Sequence, residues 1–437
     1  MKLRLLSLTV ISISLSCFLF AAEQQEMRPS AFVQEIDGVG SLQATTRTSD
    51  GAYLTVSGGS RVITISKFSS EGNKIWTSSF ENSSPGEIGI RSITEVSDGY
   101  LLAGGQGWYW TYYDGGILIK IDTSGKIVWS KQSNSLRYLS SITVQPDGTF
   151  LAVGVSSIPM SPALIKFSSD GSVLWKKKFS QFELLIDDWG FQNYYPASAT
   201  TPDNGLVMVL REFNYVGPTL VYLLRINPDG EVLWNRKMKI SGFASVLHVT
   251  SDGGILLISS DTNTVVRLNE NGLPDWAASY PFASNRTFLT DAIERPEGGY
   301  ELVGSRERYG TPQGLVEDGS AILLKIDGRG KIVSQKELSQ GKTGYQQQIF
   351  LSPDNGYVAF TPKLRDGIES VLMWKVDSEG HIAGCNFSHV NELVKEKEAV
   401  EITRKFRLER PHPFSLKFGE LTLSPHQTNY SIRTICD

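Results

Sequence analysis

The chain has 437 residues, 40% hydrophobic, 10% aromatic and 20% charged, with a formal net charge of −4 at pH 7. A mildly acidic balance without a basic stripe excludes the electrostatic footprint of a nucleic-acid-binding protein. The 41 glycines, the aromatic share and the lack of any long helix-period stretch point to an all-β chain.

The N-terminus, "MKLRLLSLTVISISLSCFLFAAEQQE", sets Lys2 and Arg4 before an apolar run that ends at Ala21 and Ala22, the pattern of a secretory signal peptide over residues 1–22. Cleavage near Glu23 removes two basic residues and leaves 40 basic against 46 acidic side chains. The expected location is secreted or periplasmic, with no membrane span after cleavage. A lipid anchor through Cys17 is the lesser reading, because Ser14 stands where a lipobox has leucine. After cleavage Cys385 and Cys436 remain, and in an oxidising compartment they read as one disulfide.

From residue 49 onward two motifs alternate. The first reads "SDGAYLTVSG" from Ser49 and returns from Ser97, Pro146, Pro202, Ser251, Pro296 and Pro353. The second reads "KFSSEGNKIW" from Lys67 and returns from Lys120, Lys166, Arg225, Arg267, Lys325 and Lys375. Each is a turn of Asp, Asn and Gly joining stretches of strand period, so each repeat supplies two hairpins, or four strands. A tandem four-stranded unit of about 50 residues is the pattern of a propeller blade, since one such sheet cannot bury both of its faces alone. Seven copies predict an all-β, seven-bladed β-propeller of four-stranded antiparallel blades over residues 23–385. The basic residue that opens the second motif is expected to pair across blades or face solvent.

The last copy lacks a tryptophan-led strand, and "AFVQEI" (Ala31 to Ile36) lies at the right distance before Ser49 to complete it. An N-terminal strand should therefore close the ring. Residues 386–437 contain strand-like "LKFGELTLS" and "YSIRTIC" and are expected to form a short C-terminal β extension, folded back onto the seventh blade by the Cys385–Cys436 bridge. Closing that loop would contribute ~4 kcal/mol.

The motif "KIDTSGKIVW" resembles the tryptophan-docking repeat of quinoprotein-like propellers, and the paired motifs resemble still more closely a family of secreted bacterial propeller repeats. The resemblance implies that Trp76, Trp129, Trp175, Trp234 and Trp276 pack between blades. Ser334 and Gly384 depart from the pattern, so the sixth and seventh interfaces should pack differently. With no adjacent cysteine pair, quinone binding does not carry over and no cofactor is expected.

In a four-stranded meander the short Asp-Gly turns share one face and all longer connections share the other. The latter include Gly105 to Gly115, Gln181 to Pro196, Glu212 to Pro218 and Arg306 to Gly319, read as irregular loops. Two of them gather aromatic and polar residues into one candidate ligand patch: Trp108, Tyr109, Trp110, Tyr112, Tyr113, Asp114, Asp187, Asp188, Trp189, Phe191, Tyr194 and Tyr195. Such ring faces beside carboxylates suit a glycan or a protein segment. The favoured reading is a monomeric, non-enzymatic binding or scaffold propeller. The alternatives are an envelope lyase or hydrolase working from Asp114, Asp187, Asp188 and Glu317, or an envelope-assembly scaffold. No metal site is expected, and His248 reads as a satisfied strand residue.

Overall fold

A computed structural model describes residues 31–37, 40–59, 61–83, 86–108, 111–157, 160–182, 196–212, 219–240, 244–260, 262–280, 286–309, 316–339, 348–365, 368–382, 388–389, 396–397, 401–403, 417–427 and 431–436. Seven antiparallel sheets follow one another around an axis. Blade 1 is the meander Ser41–Arg47, Tyr53–Gly59, Val62–Phe68 and Lys74–Asn82. Blades 2 to 6 repeat it over 87–133, 136–178, 197–240, 244–279 and 286–339, and blade 7 takes three strands from 348–376. Its fourth strand is Phe32–Asp37, antiparallel to Ile368–Val376, so the ring is closed from the N-terminus as the sequence predicts.

Turn chemistry sets the blade register. Asp122 Oδ1 accepts from the Ser124 and Lys126 amides, and Gly125 takes the left-handed conformation at φ 83°. A Cβ at Gly125 would lie 2.7 Å from the Trp76 ring, so this glycine is required both by its own backbone and by the neighbouring blade. Trp129, Trp175, Trp234 and Trp276 meet the turn glycines Gly171, Gly230, Gly272 and Gly330 of the following blade in the same way. Two of them donate from Nε1 to a carbonyl of that turn, Trp234 to Glu270 at 3.2 Å and Trp276 to Gly328 at 2.8 Å. In blades 2, 3 and 4 a cation two residues on lies over the ring, Lys131 over Trp129, Lys177 over Trp175 and Arg236 over Trp234.

The two departures from the pattern are packed differently. At the seventh seam Phe32 stands opposite Lys375, the register that each tryptophan holds against its own Lys or Arg, and its ring covers the turn glycine Gly72 of blade 1. At the sixth, Ser334 leaves Gly380 to Leu323 and the Lys336 stem, while the seam's core takes in the fully buried Trp374.

The basic residues of the second motif meet the expectation of pairing across blades only in part. Lys67, Lys120, Arg225, Arg267 and Lys375 pair inside their own blades with Asp50, Asp98, Asp203, Asp252 and Asp354, at 2.5 to 2.8 Å. The strand register puts the third-strand cation beside the first turn, and burying its long stem leaves only the charge to be satisfied. Burial raises the Asp50 carboxyl, but hydrogen bonds from Lys67, Thr48 and the Ala52 amide overcome it and hold the group down to about 2. Lys67 and Arg267 also reach the next blade, bonding the hydroxyls of Tyr100 and Tyr300.

The C-terminal segment returns to blade 7 as expected, but only after a longer course. It is not folded back on blade 7 alone but runs round the rim, giving an outer strand to one blade after another. Ser388–His389 pairs with blade 6, Glu396–Lys397 with blade 5, Glu401–Thr403 with blade 4, Gly419–Glu420 with blade 2 and Leu423–His426 with blade 1. Ser431–Cys436 then returns to blade 7 and pairs with Phe32–Asp37. The outermost strand of a blade offers unpaired backbone groups, and this belt of C-terminal strands pairs with that edge in six of the seven blades, blade 3 having no such strand among the described residues, which protects edges that would otherwise template association.

Candidate functional site

The meander connectivity sends the Asp-Gly turns to one face and the remaining connections to the other, as anticipated. On the second face several connections are paired hairpins rather than irregular loops. In blade 2, Gly99–Trp108 and Thr111–Asp122 stay paired, through two register shifts at Gln106/Gly107 and Gly107/Trp108, as far as Trp108 opposite Thr111. In blade 6 pairing continues to Tyr309 opposite Val316, and in blade 7 to Arg365 opposite Ile368. Blade 1 turns back earlier, at Gly59 opposite Val62. Aromatic and β-branched residues have high strand propensity, so Trp108, Thr111, Tyr112 and Tyr113 extend the strands instead of ending them.

Of the twelve predicted ligand residues, Trp108, Tyr112, Tyr113 and Asp114 are carried on the backbone of this blade 2 hairpin. Tyr109, Trp110, Asp187, Asp188, Trp189, Phe191, Tyr194 and Tyr195 lie outside the described residues. Glu317 is in the paired strand Val316–Ile326 of blade 6.

The hairpins of blades 6 and 7 stand on buried ion pairs. Arg306, on the second strand of blade 6, donates to Glu337 on the fourth at 2.9 Å, and the Ser320 hydroxyl donates to the same carboxylate. In blade 7, Lys363 and Ser370 both donate to Glu35 at 3.0 Å. These four ionic side chains are 1% to 7% exposed, so each charge depends on its partner. No counterpart is evident from the sequence alone, because the partners are far apart and only blade closure brings Glu35 to Lys363.

Around the axis the innermost strands adjoin one another, and five of them carry a bulge at the same place. The bulge in blade 6 directly precedes Asp291. Asp291 Oδ1 is 2.6 Å from His248 Nε2 of blade 5, while its Oδ2 accepts from the Ile349 amide of blade 7 at 2.9 Å. One carboxylate thus ties three blades and orients an imidazole that remains 38% exposed. His248 is therefore satisfied, as its sequence reading held, by a partner that reading did not find. Both residues precede Asp-Gly-type turns, which puts them toward the turn-side mouth, away from the aromatic hairpin.

Burial alone would lower the His248 pKa, but the charge of Asp291 and its hydrogen bond outweigh this and raise it. A pKa raised on folding stabilises the protein below the unfolded value of about 6.5 and loses that contribution as pH rises through the folded value. In an NMR titration His248 should protonate above the ordinary histidine range, and Asp291→Asn should bring it back down. A titration midpoint at or below about 6.5 in the parent would break this assignment.

A groove of about 660 Å³ lies on the rim between blades 2 and 3, walled by Trp129, Lys131 and Val173 and by Phe418 and Leu421 of the belt. Among the described residues no three His, Cys, Asp or Glu side chains gather as metal ligands, and no helix is long and apolar enough to cross a membrane.

No family model matches the chain, and no curated protein does. Among solved structures it is similar to a catalytically inactive variant of virginiamycin B lyase from Staphylococcus aureus with quinupristin, at 14% identity and a TM-score of 0.43, over 78% of this chain and 98% of that one. It is also similar to BBS1N in complex with ARL6DN, at 12% identity and a TM-score of 0.43, over 78% and 95% of the two chains. A third is a luciferin-regenerating enzyme, at 8% identity and a TM-score of 0.37, over 72% and 99%. These neighbours differ from one another in what they do, and the fold rests on the sheet topology itself.

Proposed function

We propose that the protein is an exported, non-enzymatic binding or scaffold propeller that engages a glycan or protein segment through the face bearing the long connections. The observation that carries this reading is the blade 2 hairpin, whose pairing continues to Trp108 opposite Thr111. Backbone pairing that reaches Trp108 and Thr111 orders the strands that carry these residues before any ligand arrives, which lowers the entropic cost of binding. Export is supported by the basic and apolar N-terminal pattern. The belt supports the pairing of Cys385 with Cys436, since it brings Cys436 back opposite Val33 in the blade from which the chain sets out toward Cys385.

The test compares the mature protein with a Trp108→Ala, Trp110→Ala, Trp189→Ala variant on a glycan array and in a pull-down from envelope extract, with folding of both checked by circular dichroism. A ligand held by the parent and lost by the folded variant is expected. Equal retention by both would remove the aromatic face from the function.

A further inference from the structure

The seam between blades 6 and 7 differs from the others at two positions in one cross-strand row, on either side of Lys325. Ser334 takes the place of the docking tryptophan. Two strands further in, beyond Lys325, Glu301 occupies the site that is Leu54, Leu101, Leu151, Val207, Leu256 and Val358 in the other six repeats. Glu301 is 2% exposed, and its Oε2 is buried without a hydrogen-bond partner. An acid in an apolar register position, at the seam whose docking position holds neither Trp nor Phe, is a local conflict of the kind that marks a working position.

We propose that this seam is the proton-responsive joint of the ring, closed when Glu301 is neutral and loosened when it is ionised. The groups facing it come from every neighbouring element. Lys325 stands opposite in register on the next strand of blade 6, and Arg295 and Glu297 come from that blade's first turn. Lys336 is on its fourth strand, and Tyr357 is on blade 7. Burial pushes the Glu301 carboxyl up to about 7 against the pull of Lys325, Arg295 and Lys336. The same enclosure pushes Tyr357 up to about 12 and lowers Lys336.

None of these cations is free to neutralise Glu301 without leaving another contact. Lys336 donates across the seam to the Glu379 carbonyl of blade 7, where Asp377 and Glu379 also favour its charge. Lys325 lies 3.9 Å from Glu297, and Arg295 is paired with that same carboxylate. A charge on Glu301 must therefore stay buried unpaired or draw one of them away, and drawing Lys336 breaks a bond that joins the two blades. The sign follows from a raised acid: the opened seam binds fewer protons than the closed one, so opening becomes easier as pH rises. The joint lies between the blades whose hairpins stand on Arg306–Glu337 and Lys363–Glu35, so its state sets how firmly those two hairpins are held relative to each other.

Amide hydrogen exchange of the mature protein at pH 6 and pH 8, corrected for intrinsic exchange rates, tests the proposal. Peptides covering Tyr300–Ser305, Ile332–Glu337 and Tyr357–Thr361 should be about tenfold less protected at pH 8, from a carboxyl that titrates near 7 when closed and in the ordinary range when open. The matching peptides of the first seam, around Leu54 and Trp76, should not change. Glu301→Leu, which restores the residue type of the other blades, and the neutral isostere Glu301→Gln should both abolish the difference. Equal protection at the two pH values in the parent, or a difference that persists in either folded variant, would overturn it.

Discussion

Phe32→Ala is expected to lower the unfolding free energy by about 3 to 5 kcal/mol, the range for truncating a buried aromatic side chain. Phe32 is 4% exposed and fills, at the seventh seam, the place that tryptophan fills in blades 1 to 5. Its loss leaves a cavity against Gly72 and weakens the strand that closes the ring, so the cost should appear as a lower denaturation midpoint for the whole molecule. Urea unfolding followed by tryptophan fluorescence reads it directly. A change below about 1 kcal/mol would mean that Phe32 is not the seventh docking residue, since such losses are typical of surface sites.

Glu337→Gln is expected to cost a similar amount for a different reason. The substitution keeps size and removes the carboxylate charge that meets Arg306, whose side chain is 7% exposed, at 2.9 Å. Breaking a buried pair from one side costs about 3 to 5 kcal/mol, whereas a solvent-exposed pair is worth about 0 to 1. The same unfolding measurement separates the cases. A double replacement, Arg306→Met with Glu337→Leu, should recover most of the loss, because it removes both charges together.

The blades were legible because a propeller repeats its side-chain chemistry: the turn Asp and Gly, the third-strand cation and the fourth-strand tryptophan recur in phase, and each has a steric or hydrogen-bonding reason to do so. The closing strand was legible for a related reason, since a missing tryptophan-led strand at one end had a candidate at the other. The belt was not. Its strands over blades 6, 5, 4, 2 and 1 are two to four residues long and bind through backbone groups to existing edges, so no side-chain period announces them. The aromatic segment stood out in composition, but flanking glycines disguised a hairpin as a loop. His248 and Asp291 were separable only as isolated residues. They lie 43 positions apart while the matching turns, at Thr250 and Arg295, lie 45 apart, so the pair is two residues out of phase between adjacent copies and no repeat position links them. Glu301 was visible in "PEGGYELVG" all along, yet its meaning depends on burial against a neighbouring blade.

Phe32–Asp37 lies between Ile368–Val376 on one side and Ser431–Cys436 on the other. The first strand of the ring is thus an interior strand of its sheet, and it cannot peel away until the end of the chain has been stripped off it. Release must follow an order, last-made strand first. Reopening is then a sequence of steps rather than a single rupture, and the lifetime of the closed molecule is governed by the rate of the first detachment, even where the equilibrium margin at the seam is modest.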